Sequence, residues 1–347
     1  MINPLKRRDF LKTAVAGTIG LGLAGKPNEL GIVKQISSRR VGIIGLDTSH
    51  AIAFTKALND QNAGPEFDGF RVTSAYPKGS NDIKSSADRI PGYTEEVKKM
   101  GVSIVNSVDE LISSCDFVLL ETNDGRLHLG QAIPVLMAGK RMFIDKPVAA
   151  SLSDALAIYR ASEHFKVPVF SSSSLRYIAG MKEIQEGSIG KVTGADVFSP
   201  ATLERTHPDL FWYGIHGVET LFTAMGTGCK TVVRSAQPDF DLVVGTWADG
   251  RIGSFRGIRS GKSDYGGTIF GEKGISVLGK YSGYNGLLLE ILKFFQTGNV
   301  PVTSAETIEI FSFMAAADES KARGGIPVEI AEIRQKAEQS AEKINFK

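Results

Sequence analysis

Short apolar runs alternate with longer stretches of helical periodicity between Arg40 and about Ser172. The apolar runs have the length of buried strands, and they are residues 41–44, 70–75, 117–120, 142–144 and 167–170. The stretches between them predict helices at residues 51–58, 94–100, 130–138 and 153–164. Strands that alternate with helices predict an α/β domain, in which a doubly wound parallel sheet has helices on both faces. Ligands bind such sheets at the carboxyl ends of the strands, where the strand order reverses.

The pattern changes after Arg176, where strand-like runs follow one another without long helices between them. A helix at residues 180–186 leads into predicted strands at 192–198, 242–247, 251–255, 268–271 and 276–278. Consecutive strands predict an α+β domain with an open, mainly antiparallel sheet. Two later helices, at residues 287–296 and 305–323, are expected to pack beside that sheet. The predicted boundary gives domains at residues 36–172 and 173–347.

Residues 1–25 have the pattern of a targeting segment, which is separate from the folded domains. The run from Lys6 to Lys12, Lys-Arg-Arg-Asp-Phe-Leu-Lys, matches the twin-arginine export signal, and a weakly apolar run follows it to Ala24. Because of this match we expect export to the periplasm. A basic amphipathic helix is the alternative interpretation of the same segment. No later apolar run reaches the length of a membrane span.

The composition, 42% hydrophobic and 22% charged residues, is typical of a soluble globular protein. The first 25 residues carry four basic side chains and one acid, so the net charge of +2 becomes −1 without them. No basic stripe remains, and nucleic acid is not an expected partner. Two cysteines, Cys115 and Cys229, predict no disulfide framework, and the lack of CxxC or HExxH patterns predicts no dedicated metal site.

The turn after the first strand holds part of a dinucleotide-binding motif. G-x-G-x-x-G brings the backbone amides of a helix N-terminus close to a pyrophosphate. Here Gly45 takes the first glycine position, whereas Asp47 and His50 take the second and third. Asp47 would repel a pyrophosphate by about 1 kcal/mol or more, or it could cap the helix, as could Thr48 or Ser49. The turn therefore suits either a modified nucleotide site or a plain strand–helix turn.

The ends of the second and fourth strands offer further candidate cofactor contacts. No acid follows the second strand to hold a ribose hydroxyl, and Lys78 would suit a 2′-phosphate, which favours NADP over NAD. A solvated loop lysine is the alternative. After residues 117–120, Thr122 and Asn123 are placed to contact ribose or phosphate, and His128 could cap a helix or orient a neighbour.

Two segments supply candidate catalytic groups. Residues 141–147 read Arg-Met-Phe-Ile-Asp-Lys-Pro, a short strand that places Asp145 and Lys146 on a loop at the carboxyl edge of the sheet. About seventy residues later, Trp-Tyr-Gly-Ile-His ends in His216. An amine and an imidazole beside a dinucleotide site suit hydride transfer between an alcohol and a carbonyl.

The order of these segments resembles the Gfo/Idh/MocA family (glucose–fructose oxidoreductase, inositol dehydrogenase, rhizopine catabolism). That family has a strand–turn at its start, a Thr-Pro/Asn…His loop, a Glu-Lys-Pro loop and an Asp-x-Gly-x-His segment. These are similar to residues 41–50, 122–128, 145–147 and 212–216 of this chain. The resemblance implies a Rossmann domain with NAD or NADP, and a second domain whose sheet often forms homo-oligomers.

The resemblance also implies NAD(P)-dependent redox chemistry on a sugar, polyol or related compound. Lys146 would bind the reacting oxygen and relay its proton, Asp145 would lie beside the cofactor, and His216 would be the second proton carrier. The family's Asp four residues before this histidine is Trp212 here. Its part could fall to His207, Asp209 or Glu219.

The candidate substrate residues combine aromatic rings, which stack on sugar C–H surfaces, with side chains that bind hydroxyl or anionic groups. They are Arg126, Arg176, Tyr177, His207, Asp209, Trp212 and Tyr213. A packed loop at the domain interface is an equal alternative for residues 204–213, and a metal cluster of His207, Asp209 and His216 is a lesser one.

Two other functions remain open at this stage. The first is a redox-neutral glycoside hydrolase of the same superfamily, which uses its nicotinamide transiently and needs the same Lys146 site. The second is a non-catalytic carbohydrate-binding homologue with a degenerate nucleotide site, and Asp47 and Trp212 favour it.

Overall fold

The computed structural model describes residues 39–346 of the chain. The predicted targeting segment at residues 1–25 lies outside this range. The described residues form one compact unit, so the predicted boundary at 172/173 stays a prediction. None of the helices described is long and apolar enough to cross a membrane.

The first half forms a six-stranded, fully parallel sheet with the order β3-β2-β1-β4-β5-β6. The strands are β1 (Arg40–Ile44), β2 (Arg71–Tyr76), β3 (Ser103–Ile104), β4 (Phe117–Leu120), β5 (Arg141–Ile144) and β6 (Val169–Ser171). The helices are α1 (Ser49–Asn59), α2 (Lys84–Ala87), α3 (Ile90–Lys99), α4 (Val108–Ser114), α5 (Gly125–Met137) and α6 (Leu152–Phe165). The predicted doubly wound fold is confirmed. Its strand order reverses between β1 and β4, which puts the expected crevice at the turns that follow them.

The second half forms a seven-stranded sheet with the order β12-β11-β7-β10-β9-β8-β13. The strands are β7 (Val192–Pro200), β8 (Cys229–Ala236), β9 (Phe240–Trp247), β10 (Ile252–Ile258), β11 (Gly266–Gly271), β12 (Ile275–Val277) and β13 (Val328–Glu329). The helices are α7 (Met181–Gln185), α8 (Ile215–Met225), α9 (Asn285–Thr297), α10 (Ser304–Ala322) and α11 (Ile330–Ala341). Neighbouring strands are antiparallel except β7 and β10, which confirms the predicted mainly antiparallel sheet.

Helices cover one face of this second sheet and leave the other open. Helices α8 and α10 pack on the inner face, where alternate strand residues such as Val197, Val243 and Phe255 are buried. The outward residues of the same strands include Phe198 and Ile252, which are 38% and 57% exposed. The alternation is therefore that of a half-buried antiparallel sheet.

Helix α9 does not pack where the sequence pattern suggested. It was expected beside the second sheet, but its apolar face is buried against the first. The ring of Phe295 stacks on Phe117 of β4 with centroids 4.8 Å apart, and Phe294 meets Phe170 of β6 edge-on at 5.0 Å. Each fully buried side chain of this kind contributes roughly 1.5–3 kcal/mol. The two halves are thus joined by a shared core.

The turn after β1 depends on a glycine in the left-handed region. Gly45 has φ of +90°, and its amide donates a 2.8 Å hydrogen bond to the carbonyl of Tyr76 at the end of β2. A Cβ at this position would lie 2.5 Å from the backbone of Thr122, the second residue after β4. Gly45 therefore lets the ends of three strands come together.

We predict that Gly45→Ala destabilises the protein by about 3 kcal/mol or more, because a Cβ both strains the backbone and collides with Thr122. Gly130→Ala in α5 is the matched control, since a Cβ there meets nothing within 4 Å. The control should be neutral or slightly stabilising. Urea unfolding of the two variants would measure the difference, and similar midpoints would contradict the prediction.

Candidate functional site

A cavity of about 340 Å³ lies at the carboxyl ends of β1, β4 and β5, between the first sheet and the second half of the chain. Nine of the sequence-predicted site residues line it: Thr48, Ser49, His50, Asn123, Asp145, Lys146, Trp212, Tyr213 and His216. The structure thus brings together segments that are more than 160 residues apart. Other lining residues were not predicted: Ser85, Arg89, Ser174, Leu175, Thr202, Tyr265, Tyr281 and Tyr284.

The N-terminus of α1 forms one end of this cavity. Thr48 is the N-cap, and its hydroxyl accepts a hydrogen bond from the amide of Ala51 at 3.4 Å. The first amides of a helix have no intrahelical partner, so this end of α1 carries partial positive charge. The hydroxyls of Thr48 and Ser49 lie beside it. An anionic group such as a phosphate would be stabilised here.

Asp47 is turned away from the cavity and joins three strand ends. Its Oδ1 accepts a 3.0 Å hydrogen bond from the amide of Asn123, while a Cβ on Gly79 would lie 2.1 Å from its Oδ2. Asp47 therefore does not cap α1, which is one of the roles suggested by the sequence. Burial raises the pKa of this carboxyl to about 6, because the lost hydration outweighs the hydrogen bonds from the Asn123 and Ser80 backbone and the Ser86 side chain.

His50 occupies the third glycine position and meets two buried carboxylates. Its Nδ1 lies 2.9 Å from Oδ1 of Asp145 and 3.9 Å from Oε2 of Glu121. Burial, and then the nearby charge of Asp145, holds the pKa of Glu121 well above its usual value. Burial also opposes ionisation of Asp145, but His50 and Lys146 outweigh it and lower the pKa of that carboxyl. Sequence analysis missed Glu121, whose signal was an acid placed directly after an apolar strand.

Lys146 reaches the cavity from the loop after β5, and His216 reaches it from helix α8. Lys146 is only 7% exposed, and its Nζ lies 3.9 Å from Oδ2 of Asp145. His216 stands in the first turn of α8, directly after a π-helical turn at Leu210–Gly214. Burial, with the positive charge of Lys146, lowers the pKa of His216 well below its ordinary value. The imidazole is therefore neutral at pH 7.

His216 is held by a serine hydroxyl. Its Nδ1 lies 2.7 Å from Oγ of Ser173, which already accepts the amide of Leu175 at 3.1 Å. The Ser173 hydroxyl can donate to Nδ1, and in that arrangement the imidazole hydrogen is on Nε2. Glu219 accepts the Ser173 amide at 2.8 Å. Glu219 therefore supports His216 through Ser173.

Tyrosines cover the second-half side of the cavity. The hydroxyls of Tyr213 and Tyr265 lie 2.9 Å apart, and that of Tyr281 lies 2.9 Å from Oγ of Ser174. Tyr284 reaches the first half, where its hydroxyl lies 3.0 Å from Oγ of Ser49 and its ring meets His50. Three of these tyrosines come from loops without any motif, and the sequence gave no reason to single them out.

Five predicted substrate residues do not line the cavity, and the charged ones already have partners. Arg176 pairs with Glu219 at 3.0 Å and Glu306 at 2.7 Å. Arg126 pairs with Asp82 and Asp124, each at 2.6 Å. These arginines are compensated, so their geometry does not support recognition of an anionic substrate.

The remaining three predicted substrate residues also contact other protein side chains or backbone, Asp209 and His207 through charged groups and Tyr177 through packing. Asp209 pairs with Arg234 at 2.8 Å and Lys321 at 2.5 Å. His207 lies with its Nε2 3.4 Å from Oδ1 of Asp124, and Tyr177 packs beside Gly286. Neither His207 nor Asp209 is the missing partner of His216.

Five predicted cofactor residues lie around the cavity without lining it: Gly45, Asp47, Lys78, Thr122 and His128. The two ring nitrogens of buried His128 lie 2.6 Å from the carbonyl oxygen of Thr122 and 3.2 Å from that of Val148. His128 thus joins the loops after β4 and β5, which agrees with an orienting role. Lys78 is exposed, and nothing in its surroundings selects a 2′-phosphate.

Comparison with known proteins relates the chain to a family of oxidoreductases. Residues 39–173 match the model of GFO_IDH_MocA, the oxidoreductase family with an NAD-binding Rossmann fold. A 1,5-anhydro-D-fructose reductase from Ensifer adhaerens is 33% identical over 122 residues. This alignment spans 33% of the chain and 36% of that curated relative. The comparisons support the Gfo/Idh/MocA oxidoreductase family.

Solved structures resemble the chain over most of its length. A probable dehydrogenase from Thermotoga maritima has a TM-score of 0.68 at 19% identity, covering 85% of this chain and 99% of that one. A scyllo-inositol dehydrogenase from Lactobacillus casei, solved with NAD(H) and scyllo-inositol, has a TM-score of 0.65 at 15% identity with the same coverage. GenD2 from gentamicin A biosynthesis, in complex with NAD, has a TM-score of 0.67 at 16% identity, covering 89% and 99%. At these identities the likeness shows the fold.

The raised pKa of Asp47 predicts a pH-dependent stability. The stabilising contribution of its protonated form is present below pH 3.8 and is lost as the pH rises through about 6. Asp47→Asn keeps an acceptor for the Asn123 amide and cannot ionise. Relative to wild type, this variant should gain stability between pH 4 and 7.5, by up to about 3 kcal/mol. Denaturant unfolding at several pH values would measure it.

Asp249→Asn, in the exposed turn between β9 and β10, is the control for this experiment. Its carboxylate stays solvated, so its effect should vary little over the same pH range. A constant difference between wild type and Asp47→Asn would mean that Asp47 ionises in the folded protein without cost.

Proposed function

We propose that the chain is an NAD(P)-dependent oxidoreductase that acts on a sugar, a polyol or a sugar derivative. The observation that carries the proposal is that Lys146, His216 and the N-terminus of α1 line one cavity. Two relatives have names that support the substrate class, a 1,5-anhydro-D-fructose reductase and a scyllo-inositol dehydrogenase.

The residues at this end of the cavity fit a dinucleotide. Gly45 allows the β1 turn to pack against the backbone of Thr122, and the first amides of α1 are available to a pyrophosphate. Asp47 turns its charge toward Asn123 and away from the cavity. Asn123 is placed to contact a ribose. Lys78 is exposed and lies outside the cavity lining, so the proposal includes both NAD and NADP.

The chain's own groups hold the reacting alcohol or carbonyl. A bound nicotinamide supplies the hydride acceptor or donor. The Lys146 ammonium donates a hydrogen bond to the reacting oxygen and holds the proton that this oxygen gains or loses. Neutral His216 donates from Nε2 and orients a substrate hydroxyl. Asp145 keeps Lys146 in place through their 3.9 Å contact.

The second half of the cavity suits an uncharged, hydroxyl-rich substrate. Its lining carries aromatic rings, hydroxyls and one neutral imidazole, with no carboxylate or cationic side chain among its members. Aromatic faces of Trp212 and Tyr213 can cover the C–H surface of a sugar ring, while tyrosine hydroxyls bind its oxygens. An anionic substrate would find no partner on this side.

Nucleotide binding is the first test of the proposal. Thermal unfolding with NAD, NADP and NADH should show stabilisation by at least one of them, since a ligand at a hundred times its Kd stabilises by roughly 2.7 kcal/mol. Absorbance at 340 nm with a panel of sugars and polyols then identifies turnover. The absence of any shift, together with no nucleotide in the purified protein, would contradict the proposal.

Replacing the cavity lysine should remove turnover and leave the fold intact. We expect Lys146→Met to lower the turnover number by about 10²–10⁴, because the variant keeps the apolar stem and loses the proton carrier. Lys84→Met removes an exposed surface lysine and should have no effect. Unaltered turnover in Lys146→Met would refute the assigned role.

A non-catalytic carbohydrate-binding protein is the second candidate. The tyrosine-lined wall and the buried acids near the nucleotide end favour it. Stabilisation by a sugar without any response to nucleotides would select this candidate. Release of aglycone from aryl glycosides without added nucleotide would select the redox-neutral glycoside hydrolase.

The open face of the second sheet supports a homo-oligomer. Phe198, Phe240 and Ile252 lie on that face and are 38%, 42% and 57% exposed. Burying them against a second copy would remove apolar surface from water. Light scattering should show an oligomer that Phe198→Asp with Ile252→Asp dissociates. A monomeric wild-type protein would rule this interface out.

The twin-arginine-like run from Lys6 to Lys12 supports export to the periplasm as part of the same proposal. That route carries folded proteins, so the nucleotide would be acquired before export. Cell fractionation of wild type and of Arg7→Lys with Arg8→Lys would test it, because only the wild type should reach the periplasm.

A further inference from the structure

Three buried side chains meet beneath the cavity, each from the carboxyl end of a different strand. His50 follows β1, Glu121 follows β4 and Asp145 follows β5. One atom of each, the imidazole Nδ1 and two carboxylate oxygens, lies within 4.8 Å of the others. A nitrogen and two carboxylate oxygens at this spacing are a possible ligand set for a metal ion.

Glu121 is the observation that calls for a ligand. Its side chain is completely buried, and neither of its carboxylate oxygens has a hydrogen-bond partner among residues 39–346. A buried carboxylate without a partner is strongly unfavourable unless a cation or a proton compensates it. The nearby acids Asp47 and Asp145 add to the negative charge, and both are buried as well.

Asp145 divides its two oxygens between different neighbours. Oδ1 lies 2.9 Å from Nδ1 of His50, whereas Oδ2 lies 3.9 Å from Nζ of Lys146. The lysine therefore stands at the other oxygen, outside the three-residue cluster. Ligand atoms bound to one ion at about 2.1 Å are separated by about 3.0–3.4 Å. Asp145 Oδ1 lies 2.9 Å from Nδ1, close to that range, whereas Glu121 Oε2 lies 3.9 Å from Nδ1 and would have to move inward to share an ion.

We propose that His50 Nδ1, Glu121 and Asp145 Oδ1 bind a divalent first-row transition metal ion, Mn²⁺ or Zn²⁺. An imidazole with two carboxylates suits these ions, and two carboxylates balance a charge of +2. His50 and Asp145 also line the cavity, which gives the ion a route from solvent. The ion would offset the acids that lie below the phosphate-binding end of α1.

The test uses the full, untagged protein after removal of metal with a chelator, with no nucleotide present. Titration with MnCl₂ or ZnCl₂, followed by calorimetry and by the electron paramagnetic resonance of free Mn²⁺, should show one equivalent bound. Glu121→Gln keeps the side-chain size and should weaken binding by more than about 100-fold, since it removes a direct ligand. Asp249→Asn, an exposed carboxylate, should bind as wild type does.

Two further observations keep the test decisive. Metal-free Glu121→Gln should melt at or above the wild-type temperature, because glutamine matches the side-chain size and cannot ionise in this buried position. His50→Gln should weaken Zn²⁺ more than Mn²⁺, because imidazole is the softer ligand. Failure to bind one equivalent, or unchanged affinity in both variants, would overturn the proposal and leave Glu121 as a buried protonated acid. Neither outcome depends on nucleotide binding, so the proposed redox function is tested separately.

Discussion

The close approach of the β1 turn to the loop after β4 is the constraint on which the rest of the site depends. Gly45 can meet the backbone of Thr122 only because it has no Cβ and adopts a φ of +90°. This contact sets the N-terminus of α1 beside the ends of β4 and β5. His50 and Asp145 come within hydrogen-bonding distance as a result. A wider turn would separate the cavity's charged groups and leave each buried without its neighbour.

Asp47 and His50 replace two glycines of the dinucleotide-binding motif without blocking the free amides at the N-terminus of α1. The second and third glycines of the motif normally let a pyrophosphate and the first sheet approach the backbone closely. Here both side chains leave the amides of α1 in place. Asp47 bridges to Asn123, and His50 turns toward Asp145. The altered turn therefore keeps a positive helix end while placing acids and an imidazole beneath it.

Periodicity was sufficient for the parallel sheet, because its strands are buried on both faces and stand out as apolar runs. The elements that it missed include β3, which has two residues, the eight-residue strand β8, and α8, which is buried on nearly every side although it contains His216 and Glu219. The position of α9 could not be predicted, since an apolar helix face does not reveal which sheet it covers. Element type is a local property here, whereas packing partners are not.

The same distinction explains which site residues could be found. Lys146 and His216 lie in segments whose order resembles a known family, and the structure places both on one cavity. Arg176 looked available because its partners, Glu219 and Glu306, are distant in sequence. Arg126 has one distant partner, Asp82, and one only two residues away, Asp124. Ionic compensation is a tertiary property. An isolated charge in a sequence therefore does not show whether the side chain is free, while a short motif at a strand end shows at which edge of the sheet its residues lie.

The two halves of the cavity differ in the kind of interaction that each can provide. Strand ends of the first sheet hold His50, Asp145 and Lys146 on short connections, and buried charges need such fixed geometry to remain paired. The second half contributes hydroxyls and rings from longer loops, which can adapt to the shape of a ligand at little electrostatic cost. The charged side chains thus lie on the first-sheet side of the cavity, where a reacting oxygen would lie. The uncharged second-half side would recognise the shape of a ligand.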